Sequence, residues 1–147
     1  MVSVKKIPAE STYSLRLEVL RKNIDLPHEF DGDLDDSTFH LGVFDNDQLV
    51  CIGTFMKSSL EEIKGSQYQL RGMASAPEAR GKGYGKLLLS FAIDKLLKRG
   101  IDVLWCNARE VAVQFYQKNQ FQILGDKFVN KVGPHYKMYR VINKKEV

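Results

Sequence analysis

The sequence predicts an α/β (α+β) fold, one mixed β-sheet with helices on its faces, in the order β-α-β-β-β-α-β-α-β-β. Three observations predict it. Short apolar runs bounded by turn residues recur along the chain as strands should. Stretches with apolar side chains at helical spacing separate several of them. Asp45-Asn46-Asp47 joins two runs as a tight hairpin, whereas the other connections are longer and polar or helical.

After the first strand, residues 9–22 read as a helix mixing Tyr13, Leu15, Leu17, Val19 and Leu20 with Arg16, Arg21 and Lys22. Ser11 or Thr12 is its expected cap, and Asn23 or Asp25 its expected end. Residues 26–36 carry Glu29, Asp31, Asp33, Asp35 and Asp36 and read as an acidic loop. Strands 39–44 and 48–56 form the hairpin, and polar residues 58–65 lead into strand 66–75. The helix 84–98 presents Leu87, Leu88, Phe91, Ala92 and Leu96, and stops at Gly100. Residues 101–106 suit a buried parallel strand. In helix 110–119, Val111 should stack over Phe115 and Ala112 over Tyr116. Residues 121–130 and 135–141 alternate as two antiparallel strands around a Gly133-Pro134 turn, and 143–147 should be a frayed tail.

At 147 residues the chain should form one domain, 1–147. Its 44% hydrophobic and 27% charged residues are ordinary for a globular protein. A net charge of +4 without a long basic run argues against a nucleic-acid partner. No apolar stretch approaches the roughly 18 residues of a membrane span, and the N-terminal residues lack the apolar core of a signal peptide. Cys51 and Cys106 lie in separate apolar runs, in no CxxC pair and away from histidine at ligand spacing, so they read as reduced core thiols. The expectation is a cytoplasmic protein without metal or membrane.

The densest signal is residues 69–89, a strand, a bend at Pro77, a basic glycine-rich turn and a helix. Gly81, Gly83 and Gly85 clear side chains from the helix mouth, where backbone N–H groups and the helix dipole favour an anion. Arg80, Lys82 and Lys86 add full charges. The turn is not a Walker A loop, because Gly85-Lys86 is followed by Leu87 and not by Ser or Thr. Nor is it a dinucleotide fingerprint, because Lys86 stands where the third glycine belongs.

What fits is Arg80-x-x-Gly83-x-Gly85, which resembles the acyl-CoA signature of the GCN5-related N-acetyltransferase (GNAT) superfamily. Leu70-Arg71-x-Met73-Ala74 followed by Pro77, and Asn107-Ala108-Arg109 followed by Ala112-x-x-Phe115-Tyr116, resemble its flanking and downstream blocks. The resemblance covers nearly the whole chain. It implies a sheet splayed between strands 4 and 5, and transfer of an acetyl group from acetyl-CoA to an amine. Dimers are common in the resembled family, so a homodimer is among the implied assemblies.

The resemblance also implies roles. Arg80, Gly81, Lys82, Gly83, Tyr84, Gly85 and Lys86 would hold the diphosphate. Met73, Ala74 and Ser75 would offer a strand edge to pantetheine, with a backbone N–H, that of Met73, for the developing oxyanion. Asn107 would bond pantetheine or else cap the following helix. Tyr116 would protonate the leaving thiolate or else be a core tyrosine. Arg71 and His135 are assigned to the acceptor side. The general base is not assigned among His40, Glu62, His135 and water near Arg71. The acidic loop could draw in a cationic amine or be merely solvated. One departure is Gln120, where the family has glycine; Asn119 is expected to take the left-handed position that ends the helix. A silent acyl-CoA-binding module of the same fold is the alternative reading, separated from an enzyme by thiol release.

Overall fold

Asn46 (φ 48°) and Asp47 (φ 67°) occupy the two left-handed positions of a tight turn, whose twist matches that of the strands it joins. Those strands are β2 (Phe39–Asp45) and β3 (Gln48–Lys57). The structure, a computed structural model, describes residues 1–144. With β1 (Val2–Ile7), β4 (Gln67–Ser75), β5 (Val103–Arg109), β6 (Gln122–Asn130) and β7 (Gly133–Val141), they form one sheet ordered β1-β2-β3-β4-β5-β7-β6. β4 and β5 run parallel, and every other neighbouring pair is antiparallel.

The helices α1 (9–20), α2 (Tyr84–Lys98) and α3 (Val113–Lys118) cover both faces. Phe39 lies under Lys95 of α2 and under Arg99, the residue that caps its C-terminus, and Leu88 of α2 comes within 3.0 Å of where a Cβ on Gly53 would sit. On the opposite face Thr54 and His40 meet Arg16 of α1 through a buried polar network. The buried side of α2 is Tyr84, Leu88, Leu89, Ala92, Ile93 and Leu96. Leu87 and Phe91, expected on it, are instead 41% and 47% exposed; the stripe is rotated toward Leu89 and Ile93.

Helix α1 departs further from expectation. It starts directly after Pro8, as a 3-10 turn over Ala9–Thr12, so Ser11 and Thr12 lie within it. Thr12 Oγ1 donates to the Ala9 carbonyl at 2.6 Å and caps nothing. Its last turn, Arg16–Leu20, is a π-helix closed by the Arg21 N–H on the Arg16 carbonyl. The helix ends at Leu20 with Arg21 at its C-cap, short of the expected 22, and Asn23, at φ 61°, lies in the turn that follows.

Three other expectations are corrected. Val111 is 92% exposed, because residues 110–112 form a 3-10 turn and not the first turn of α3. Gly133 and Pro134 pair with Asn130 and Val129 inside the last hairpin; Lys131 and Val132 make the turn. Asn143 is tied to Asp102 through both backbone and side chain, and the remainder of the expected tail, 145–147, lies outside the described residues. Cys51 and Cys106 are buried free thiols on β3 and β5.

Candidate active site

The β4–β5 ladder pairs Gln67 with Val103 and ends at Leu70 with Cys106. Beyond that point β4 stays with β3 and β5 stays with β7, so the sheet splits. The β5-facing edge of β4 is unpaired from Arg71 onward. A bulge sits at the split: β4 uses one more residue than β3 between Arg71 and Ala74. Gly72, at φ 61°, is the extra residue, and a Cβ there would lie 2.7 Å from Phe30. The bulge reverses the alternation of side chains. Arg71 faces Phe30 on the α1 side, whereas Met73 and Ser75 turn to the other face, toward Tyr116 and Cys51.

The split opens into a cleft of about 230 Å³ whose walls include Arg71, Met73, Asn107, Arg109, Tyr116 and His135. Tyr116 is held edge-on by Phe115 and Phe121 at ring separations of 5.1 and 5.3 Å. Its hydroxyl donates to Met73 Sδ at 3.7 Å. Burial first, then the neighbouring Cys106 and Cys51 thiols, raises its phenol well above the ordinary 10.0. Burial raises Cys106 as well. At neutral pH the phenol is therefore protonated.

The end of α3 corrects the expectation for Asn119. Gln120, at φ 70°, takes the left-handed position itself, while Asn119 Nδ2 donates to the Phe115 carbonyl at 2.8 Å. The N–H of Phe121 returns to the Tyr116 carbonyl at 3.0 Å, so the break after Tyr116 is hydrogen-bonded as a glycine-ended helix would be.

Ahead of α2, Gly81 and Gly83 have φ near 80° and face open space. Gly85 does a different job: a Cβ there would lie 2.9 Å from Phe115, so its absence lets α2 pack on α3. Gly83 is the N-cap, no side chain caps the helix, and no acid lies in its first turn. The first backbone bond of α2 is Leu87 to Gly83, which leaves the N–H groups of Tyr84, Gly85 and Lys86 for an external acceptor. Arg80, Lys82 and Lys86 are exposed beside them. Tyr84 is buried, and its hydroxyl donates to the Asp45 carboxylate. An anionic, extended ligand fits this arrangement: an open donor-rich mouth, then an unpaired strand edge running into a cleft.

Asn107 lies exposed on β5 at the wall of the cleft. It caps no helix, because the next turn has Arg109 at its N-cap and no side-chain cap bond. His135, buried at 6% exposure, stacks on Phe128 and bonds the Gly133 carbonyl through Nδ1 at 2.8 Å. A carbonyl can only accept, so Nδ1 is the donor, and in the neutral ring this tautomer places the lone pair on Nε2. The other base candidates lie elsewhere. His40 is bonded at both nitrogens, to Thr54 and to the Asp33 carbonyl, and Glu62 pairs with Lys137 outside this cleft.

Sequence reasoning missed Arg21, Phe30 and Arg109 on the cleft wall. They come from three separate segments, and only the fold brings them together. It also missed the buried pair Arg16–Asp33 (2.7 Å), which fixes the acidic loop against α1. The loop's other acids, Glu29, Asp31, Asp35 and Asp36, are exposed, and among the described residues no carboxylate lines the cleft. Among the described residues no group of His, Cys, Asp or Glu could hold a metal ion, and no helix is long and apolar enough to cross a membrane.

A split parallel strand pair beside a glycine-rich helix mouth is the arrangement of acyl-CoA-dependent acyltransferases, and residues 6–121 match the model of the acetyltransferase (GNAT) family. The chain belongs to that family. It is 34% identical over 145 residues to the uncharacterized N-acetyltransferase YitI of Bacillus subtilis (strain 168), covering 97% of each chain. Its fold is similar to an acyl-CoA N-acyltransferase from Pseudomonas aeruginosa, with TM-score 0.80, 19% identity and coverage of 96% and 100%. It is also similar to an aminoglycoside 6'-N-acetyltransferase complexed with coenzyme A, with TM-score 0.75, 14% identity and 99% coverage of both.

Proposed function

We propose that the protein moves an acetyl group from acetyl-CoA to a primary amine by direct attack, with Tyr116 protonating the departing sulfur. The observation that carries this reading is the buried, protonated Tyr116 hydroxyl beside the unpaired edge of β4. Acetyl-CoA supplies an activated thioester. Backbone donors of residues 81–86, with Arg80, Lys82 and Lys86, bind its diphosphate. The Met73–Ser75 edge and Asn107 hold the amide-rich pantetheine arm as an added strand would be held, and the Met73 N–H donates to the carbonyl oxygen as negative charge builds there.

The proton balance follows from burial. A free alkyl thiol has a pKa of about 8.5, below that of a phenol. In the same buried pocket the Cys106 thiol is pushed up, and a departing thiolate would be too. That narrows the mismatch between the sulfur and Tyr116. On the acceptor side, His135 Nε2 takes the proton from the incoming ammonium.

The testing experiment is thiol release from acetyl-CoA across amino acids, polyamines, aminoglycosides and peptides, beside acetyl-CoA titration of the wild type and Gly83→Glu. Release with one amine class, and loss of binding in the variant as its carboxylate meets the diphosphate, supports the reading. Binding without release from any amine contradicts it and favours a silent acyl-CoA-binding module.

A further inference from the structure

Three arginines from separate segments converge on the cleft, and among the described residues none of them has an ion-pair partner. Arg21 follows α1, Arg71 precedes the bulge on β4, and Arg109 ends β5. All three line the same walls as Met73 and Tyr116, and each is half-buried. Phe30 gathers two of them: its ring lies 4.5 Å from the Arg71 guanidinium and 5.6 Å from that of Arg21. On its nearer side, at 3.8 Å, it stacks on Arg16.

Among the described residues, Arg16 alone of these four has an ion-pair partner, Asp33. Arg21 donates to the carbonyls of Pro27 and Leu20, and Arg109 donates to the same Leu20 carbonyl. The Arg71 side chain makes no hydrogen bond among the described residues. Burial lowers the pKa of all three. The charges of Arg109, Arg71 and Arg16 lower Arg21 further. For Arg71, Asp33 and Asp31 pull the other way, but Asp33 is committed to Arg16 and Asp31 is exposed.

Like charges gathered in a partly desolvated cleft repel one another and any cation that enters. What stabilises them is an oxyanion, and guanidinium forks match carboxylate and phosphate geometry. We infer that the acceptor is a small amine that also carries an oxyanion, a carboxylate or a phosphate, bound by Arg71 with Arg21 and Arg109. This rests on the reading above that the cleft receives the acceptor amine. The same cationic wall favours the neutral, nucleophilic form of that amine.

The test is calorimetric titration of the CoA-saturated protein with matched probes: leucine against leucinamide, phosphoethanolamine against ethanolamine, and spermidine. The expected result is that a probe carrying a carboxylate or phosphate binds at least tenfold more tightly than its counterpart without one, with spermidine weakest. Arg71→Gln should weaken that binding at least tenfold while CoA affinity is unchanged; if it folds poorly, Arg71→Lys, which keeps the charge and loses the fork, should weaken it by a smaller factor. The carboxylate and phosphate arms separate the two sources of the anion. Equal binding of probes with and without the oxyanion, tighter binding of spermidine, or no binding of either oxyanion-bearing amine overturns the inference. Thiol release keeps the two readings apart. Oxyanion-bearing amines that bind without releasing thiol contradict the transferase reading alone, and release confined to amines without an oxyanion contradicts the anion reading alone.

Discussion

The hydroxyl of Tyr116 lies 3.7 Å from the sulfur of Met73, linking α3 to β4 at the point where β4 and β5 part. The bulge at Gly72 makes that contact, because regular alternation would leave Met73 on the Arg71 side with Phe30. One inserted residue therefore brings the strand edge and the phenol into the same cleft.

The same burial has a consequence for stability at high pH. The folded phenol is held well above 10.0 by burial and by the nearby Cys106 and Cys51, whereas an unfolded tyrosine ionises at about 10. Above that pH the unfolded chain binds fewer protons than the folded one, so stability falls as pH rises. Below it Tyr116 has no effect on the slope. Urea unfolding followed from about pH 8 to about pH 11 should show a steeper alkaline loss in wild type than in Tyr116→Phe.

Asp33 gives the opposite dependence. Burial pushes its carboxyl upward, but hydrogen bonds from Arg16 and the Phe30 N–H, with the Arg16 charge, prevail and hold it below 3.8. Its stabilisation is fully present above the unfolded value and is lost as pH falls through the folded one. Asp33→Ala leaves the Arg16 charge buried and unpaired, and should cost about 3–5 kcal/mol in denaturant unfolding at neutral pH. The loss should be smaller in the Arg16→Met/Asp33→Leu pair, which removes both charges.

Gly85 is needed for contact with Phe115 and not for clearing the helix mouth. Gly85→Ala should destabilise by about 1–3 kcal/mol through overpacking. In a Phe115→Leu background the same change should become neutral or stabilising, since alanine is favoured over glycine in a helix by about 1 kcal/mol. Thermal or chemical unfolding of the four-member cycle measures the coupling.

At Gln120 the left-handed backbone costs a side-chain-bearing residue about 1–2 kcal/mol. Glycine relieves that strain but adds about 0.4–1 kcal/mol of unfolded-state entropy. Gln120→Gly should thus raise stability by about 0.5–1 kcal/mol, read from the denaturation midpoint.

The elements and their order were legible because strand and helix periodicity are local properties. The family assignment followed from one contiguous signature with its downstream block. What stayed hidden depended on contacts between distant segments. The burial of Leu89 over Leu87 is decided by how α2 sits on β2 and β3. The role of Gly85 is decided by Phe115, thirty residues on. The bulge at Gly72 has no sequence mark beyond the glycine itself. Arg21 and Phe30 read as ordinary residues, and Arg109 only as part of the downstream block, until the fold places them around Arg71.

The most direct measurement is thiol release from acetyl-CoA by Tyr116→Phe, made beside its acetyl-CoA affinity. A proton-donating group contributes about 10²–10⁴-fold to rate, so turnover should fall at least a hundredfold while acetyl-CoA binds as in wild type. Turnover equal to wild type, with binding intact, would contradict the assignment of Tyr116 as the acid.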